Sequence, residues 1–317
     1  MYYIGVDLGG TNMAAGICDD NGKILVKNSV PADPNRPADE IMDDMAALCL
    51  GLADRQGISV GEIDSIGIAS PGIADPDSGS VIYSCNFPTF KNYPVCAKLS
   101  ERTGVSRVFV ANDANAAAKG ESVCGAAKGC RDSVFVTLGT GVGGGIITDG
   151  KIYTGFNYAG AEIGHIVIVH GGRQCACGRK GCFESYASAT GLINLTREKM
   201  ESCPESLMWD ECGGNLAAVN GRTSFDAMRR GDAAAQEVVD EYIGYLACGI
   251  VNIINIFQPE ILSIGGGISN EREYLLAPLR KIVEKEQYSR DCEKKTELRI
   301  AQLGNDAGIV GAAMLGK

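Results

Sequence analysis

The chain alternates short apolar runs with glycine-rich turns at its start and again near its middle. Tyr2 to Val6 is a β-favouring run that enters DLGGTN, and the apolar segments of MAAGICDDNGKILVK are joined by Asn21-Gly22, a strong hairpin signal. The spacing predicts strand, glycine turn, strand, tight turn, strand. VFVTLGTGVGGGIITDGKIY repeats the arrangement, with strands at Val134 to Thr137 and Gly145 to Thr148 and a hairpin turn at Asp149-Gly150. Between the copies, Asp39 to Gln56 has helical periodicity, IDSIGIAS is a strand ending at Pro71-Gly72, and RVFVAND is a strand feeding an alanine-rich helix from Ala114. After the second copy the pattern predicts a helix near Ser185 to Glu201, a weakly patterned stretch to Ser224, a long helix from Asp232 to Phe257, the strand ILSIGGG and a terminal helix near Asn305. Strands alternating with helices, plus paired hairpins, make an α/β protein with mixed sheets.

The copies lie about 130 residues apart, too far for a solenoid, whose repeats run to ~20–50 residues. They predict a duplicated domain with its site in the cleft between halves. Composition narrows the partners. At 317 residues, 45% hydrophobic and 21% charged, the chain can build two cores. Its net charge of -10 gives no field for nucleic acid or an anionic membrane, so a small-molecule partner is expected. MYYIGVD carries no export signal, and the apolar run Ala247 to Phe257, broken by Asn252 and Asn255, falls short of the ~20 residues of a spanning helix. The expectation is a soluble, cytoplasmic protein.

Gly139 to Gly144 satisfies G-x-G-x-x-G, but a strand and hairpin follow it instead of the helix that a dinucleotide-binding turn requires. No P-loop motif is present. Two glycine turns, each ending a strand and carrying a threonine (Thr11, Thr140), can cradle a polyphosphate with unobstructed amides. Asp7 then supplies a carboxylate for hydrated Mg²⁺. Tight turns needing glycine explain one hairpin easily, and two plus Gly265-Gly266-Gly267 poorly.

Most of the 13 cysteines are scattered, but Cys175, Cys177 and Cys182 stand together, and the only two histidines, His165 and His170, lie just upstream. C-x-C-x₄-C with one histidine supplies a Cys₃His zinc set. A disulfide or unliganded buried thiols are the rivals, and the spacing favours zinc over both.

DLGGTN, LGTGVGGG and ILSIGGG, in this order, resemble the phosphate and adenosine motifs of the actin, Hsp70 and hexokinase ATPase superfamily. More narrowly, SPG at 70–72, AND at 111–113, AGAEIGH at 159–165 and CACGRKGCFE at 175–184 resemble the ROK family of bacterial sugar kinases and sugar-responsive repressors, almost end to end. The resemblance implies a duplicated actin/hexokinase-like ATPase fold: a small domain of residues 1–113 plus about 303–317, and a large one of 114–302, around a central cleft. It implies ATP and Mg²⁺ as donor and cofactor, with Asp7, Gly9, Gly10, Thr11, Asn12, Thr140, Gly141, Gly265 and Gly266 on the nucleotide. Asp113 is then the general base, although an Asn-Asp pair at a strand-to-helix junction is otherwise read as an N-cap. Gly72, Asn112, Glu162, His165 and Glu184 join Asp113 on the sugar. His165, Cys175, Cys177 and Cys182 match structural zinc ligands, leaving His170 as a loop residue.

Glu162, beside the apolar run IVIV, is expected to be too costly there as an idle charge. The expected activity is phosphorylation of the 6-hydroxyl of glucose, with fructose, N-acetylmannosamine and N-acetylglucosamine as alternatives in the same family. A sugar-sensing regulator is disfavoured because the first strand begins at residue two, leaving no helix-turn-helix ahead of it. An actin-like structural ATPase leaves Asp113, Glu162, His165 and Glu184 without roles. The CNFPTF stretch at 85–90 departs from the family pattern, so Asn86 bears on sugar preference if it lines the pocket. A homo-oligomer, dimer or tetramer, is expected from the resemblance.

Overall fold

The computed structural model describes residues 1–317. Strands β1 (Tyr2–Leu8), β2 (Asn12–Cys18), β3 (Ile24–Pro31) and β4 (Ile63–Ser70) precede a small hairpin of β5 (Ile73–Asp75) and β6 (Ser80–Tyr83), after which β7 (Val108–Asn112) completes a sheet ordered β3-β2-β1-β4-β7. β1, β2 and β3 pair antiparallel, while β4 and β7 add in parallel. The second sheet has β8 (Ser133–Leu138), β9 (Val142–Thr148), β10 (Lys151–Ile152), β11 (Ile261–Gly265) and β12 (Glu297–Ile300) in the order β10-β9-β8-β11-β12. Both sheets therefore place a hairpin meander on one side of the first strand and a later strand on the other. The repeated glycine turns mark a real duplication of topology.

Contacts divide the chain into two compact units: Met1–Phe135, Gly145–Ala161 and Gln302–Lys317 form one, and Val136–Gly144 with Glu162–Ala301 the other. The expected division at residue 113 falls at the head of α3 (Asp113–Cys124), and α3 itself groups with the first unit.

In the first unit, helices α1 (Ala38–Gln56) and α2 (Val95–Thr103) pack together, α1 on β2 and β3 and α2 on β7. They bury Ile41, Met42, Met45 and Leu99 against Ile4, Val6 and Leu8 of β1. α3 and the terminal α10 (Ala307–Ala313) form a second layer, with α10 against β1 and β4. That contact is backbone to backbone: a Cβ on Gly5 would lie 1.8 Å from the carbonyl oxygen of Ile309, and one on Gly67 1.8 Å from that of Ala312. Small residues are required there because the side chains that normally separate helix and sheet are missing. Glu121, buried on α3, accepts the amides of Gln302 (2.9 Å) and Leu303 (2.8 Å), tying the returning chain to α3.

The second unit is mainly helical around its strands. The helix expected near 185–201 is two helices, α4 (Glu184–Ala187) and α5 (Ala189–Ser202), because Ser188 adopts an extended conformation and its hydroxyl caps Gly191. α6 (Met208–Glu211) lies in the weakly patterned stretch, and α7 (Thr223–Arg229) begins at its end. α8 (Ala233–Phe257) is by length and composition able to cross a membrane, and it packs against α4, α5, α7 and α9 (Glu273–Glu286), burying Tyr242, Leu246, Ile250 and Ile254.

Candidate functional site

The two glycine turns use one internal device. Gly9 N–H donates to Asn12 O at 2.9 Å, and Gly139 N–H to Gly141 O at 3.0 Å. This closes each turn while leaving the N–H groups of Gly10 and Thr11 in one, and of Thr140 and Gly141 in the other, without a protein acceptor. Free amides in glycine-rich turns suit anionic oxygens. The third turn lies beside the second: Gly266, at φ 83, passes the end of β8 so closely that a Cβ would sit 2.5 Å from Leu138 O. Gly266 thus lies against the strand end from which the second turn starts.

In the first unit, Asp7 near the end of β1 and Asp113 at the head of α3 form an acidic pair without a basic partner. Burial and the charge of Asp113 push Asp7 up to about 6. Desolvation likewise raises Asp113, partly offset by the Ala114 amide donating to it at 2.8 Å. Asp113 stays accessible to solvent although protein surrounds it. The N-cap reading goes to its neighbour. Asn112 Oδ1 accepts the amides of Ala114 (3.0 Å) and Asn115 (3.2 Å), and its Nδ2 donates to Gly72 O at 3.0 Å. Gly72, Asn112 and Asp113 are thereby brought together, and Asp113 is released from capping. The Asn86 amide leans over the first turn, 2.6 Å from where a Gly10 Cβ would stand.

The second unit holds the cysteine loop. Ligand atoms of His165, Cys175, Cys177 and Cys182 all lie within 4.8 Å of one another. Sγ of Cys177 and Cys182 are 3.7 Å apart, and Sγ of Cys175 is 3.8 Å from His165 Nδ1. A tetrahedral ion with ~2.3 Å zinc–sulfur bonds needs sulfur–sulfur edges of roughly 3.8 Å, so the donors fit zinc in number, type and spacing. Burial pushes the Cys182 thiol up to about 12, whereas the Arg179 amide lowers Cys177. His170 is exposed and outside the cluster.

Glu184 lies half-buried beside that cluster. Its Oε2 accepts the Val142 amide at 3.0 Å, and its Oε1 is 3.7 Å from Cys175 Sγ. The carboxylate abuts Gly141: a Cβ there would stand 2.3 Å from Glu184 Oε2 and would push the carboxylate from its place. The next residues grip the same turn: Ala189 N–H donates to Gly139 O and the Thr190 hydroxyl to Thr140 O, both at 2.8 Å. A groove of about 620 Å³ opens between Thr140, Gly141, Cys175, Glu184 and Ser188. Gly164 presses on Val142, its would-be Cβ 2.1 Å from the Val142 carbonyl, which seats the His165 turn on the start of β9. Glu162 is exposed at the head of that turn. Because Glu162 is exposed, the expected desolvation cost is absent.

The ROK family model matches residues 3–317. The chain is 39% identical over 314 residues to the glucokinase of Thermotoga maritima, covering 98% of this chain and 96% of that protein. Among solved structures, a ROK family glucokinase from Streptomyces griseus in complex with glucose and AMPPNP superposes with a TM-score of 0.79 at 35% identity, over 99% of both chains. The ROK hexokinase of Thermus thermophilus gives 0.78 at 31% identity, over 99% of this chain and 97% of that one.

Proposed function

We propose, on the premise that this chain belongs to the ROK family, that it is an ATP-dependent glucokinase, transferring the γ-phosphoryl group of ATP to the 6-hydroxyl of glucose. The observation that carries this reading is its near full-length likeness to a glucokinase that binds glucose and an ATP analogue. The free amides of the glycine turns and the unpaired acidic residues Asp7 and Asp113 support it.

Phosphoryl transfer leaves little covalent work for a protein, so positioning and charge neutralisation supply most of the rate. The sugar oxygen attacks the γ-phosphorus, its proton passes to the Asp113 carboxylate, and the bond from phosphorus to the bridging oxygen of ADP breaks. Asn112 holds Asp113 through the cap and joins Gly72, Glu162, His165 and Glu184 on the sugar. Gly9, Gly10, Thr11, Asn12, Thr140 and Gly141 take the donor phosphates, and Gly265 and Gly266 the adenosine side. Mg²⁺ supplies charge neutralisation at those phosphates, and Asp7 is the carboxylate we assign to its hydration shell. His165, Cys175, Cys177 and Cys182 would hold zinc, whose role would be structural because the chain supplies all four ligands. With Nδ1 of His165 facing the sulfurs, Nε2 remains as the donor to a sugar hydroxyl. We assign the enzyme to the cytoplasm, as a homo-oligomer.

The test is ADP release with ATP and a panel of glucose, mannose, fructose, N-acetylglucosamine and N-acetylmannosamine. Glucose should give the highest kcat/KM. Preference for another sugar moves the assignment within the family, and no sugar-dependent turnover above Asp113→Asn overturns it.

A further inference from the structure

Glu184 makes a contact that holding a sugar hydroxyl does not require. One carboxylate oxygen is engaged by the Val142 amide, the first residue of β9 and the closing edge of the second glycine turn. That bond joins residues 42 positions apart and seats the carboxylate so close to residue 141 that a side chain there would displace it. The other end of the Glu184 backbone is anchored in the cysteine loop. Cys182 and Phe183 are fully buried, and Phe183 N–H donates to Ile166 O at 2.8 Å, one residue after His165. The cluster, the carboxylate and the turn form one short chain of contacts in the second unit.

We infer that Glu184 is a positioning residue that splints the second glycine turn to the Cys/His loop, so that metal loading of the loop preorganises the turn for donor phosphates. The physical reason is bond economy in the turn. Gly139 donates internally and Val142 donates to Glu184, which keeps the Thr140 and Gly141 amides turned out together for an incoming anion. A turn held this way does not have to be ordered when the nucleotide arrives, and that ordering cost appears as affinity. When the cluster is empty, the loop bearing Cys175 and Cys182 loses its pin, Glu184 loses its fixed origin, and the turn relaxes. This rests on the reading that residues 139–142 hold donor phosphates.

The probe is ADP with Mg²⁺, measured by calorimetry on the full chain, with zinc content determined on each sample. Zinc-loaded wild type should bind ADP. Glu184→Ala should bind it about tenfold more weakly while keeping its zinc, whereas Glu184→Gln, which retains an acceptor oxygen for Val142 N–H, should stay within about threefold. Both variants should lose glucose affinity, so ADP separates the splint from the sugar contact. Removal of zinc with a thiophilic chelator, Mg²⁺ being held in excess during the titration, should weaken ADP about tenfold in wild type and have no further effect in Glu184→Ala, because the two act through the same bond. In unmodified protein, chelation should also speed hydrogen exchange at the Val142 amide at least tenfold, a readout that stands even if a variant fails to fold. Equal chelation effects in wild type and Glu184→Ala, or a Val142 amide indifferent to zinc, overturn the splint while leaving the donor site intact. Failure of wild type to bind ADP overturns the donor-site reading and the splint with it.

Discussion

The side-chain amide of Asn112 donates to the carbonyl of Gly72 at 3.0 Å while its oxygen caps α3. One residue thus fixes both the start of the helix bearing Asp113 and the turn that follows β4. Asn112→Ala should cost about 1–2 kcal/mol of stability through the lost cap. It should also lower kcat by more than that destabilisation explains. Asn112→Asp restores the cap acceptor but not the bond to Gly72, so in urea unfolding it should fall between alanine and wild type.

Asp113→Asn should reduce kcat by about 10²–10⁴ and leave glucose affinity within a few-fold, since the amide fills the same space but accepts no proton. Desolvation raises the Asp113 carboxyl, so the acid limb of wild-type turnover should lie above the ordinary carboxylate range. A variant that keeps more than a tenth of the rate is incompatible with Asp113 as the base.

Asp7 titrates at about 6 in the folded protein, against about 3.9 in an unfolded chain. The folded state therefore holds more protons between about pH 4 and 6, and stability from this group is lost as pH rises through that window. Asp7→Asn should be more stable than wild type by about 2 kcal/mol at pH 7.5, a figure discounted for the half-accessible side chain, with the gap closing near pH 4. Paired urea titrations at the two pH values measure it. An equal gap at both would show that burial does not perturb Asp7.

Purified protein should carry close to one zinc per chain, and His165→Ala or Cys177→Ser should lose it while His170→Ala keeps it. Metal analysis decides between the two histidines. Active, metal-free wild type would refute the zinc site.

Gly67→Ala should be among the most damaging single-methyl additions, costing about 3 kcal/mol, because its Cβ would meet the Ala312 carbonyl and neither backbone can yield cheaply. Gly57→Ala, at the left-handed end of α1 with open space around it, should cost only about 1 kcal/mol from its φ of 68. Thermal unfolding of the pair separates crowding from conformational strain.

The turns were legible because their chemistry is local: a strand, glycines, a strand and a two-residue hairpin turn announce β1–β2–β3 within about thirty residues and β8–β9–β10 within about twenty. α9 was invisible to the same reading, since Pro278 interrupts its interior. α2 spans only nine residues and β12 four, too short for periodicity to register. The β5–β6 hairpin was likewise missed. At the site, residue types and spacing pointed to the cysteine cluster and to the Asn112–Asp113 junction. The Glu184–Val142 bond left no trace in the pattern, because a contact across 42 positions has no local signature. The burial expected for Glu162 fails for the opposite reason: apolar neighbours in sequence do not by themselves bury a residue, and Glu162 is exposed.

The return of residues 302–317 to the first unit has a consequence for biosynthesis. β1 is synthesised well before α10, yet the backbone surface it offers through Gly5 is covered by that helix. The first unit cannot complete its packing until the whole second unit has been made. All segments of the second unit lie within 136–301, so its chain is complete before the helix that closes the first unit is made.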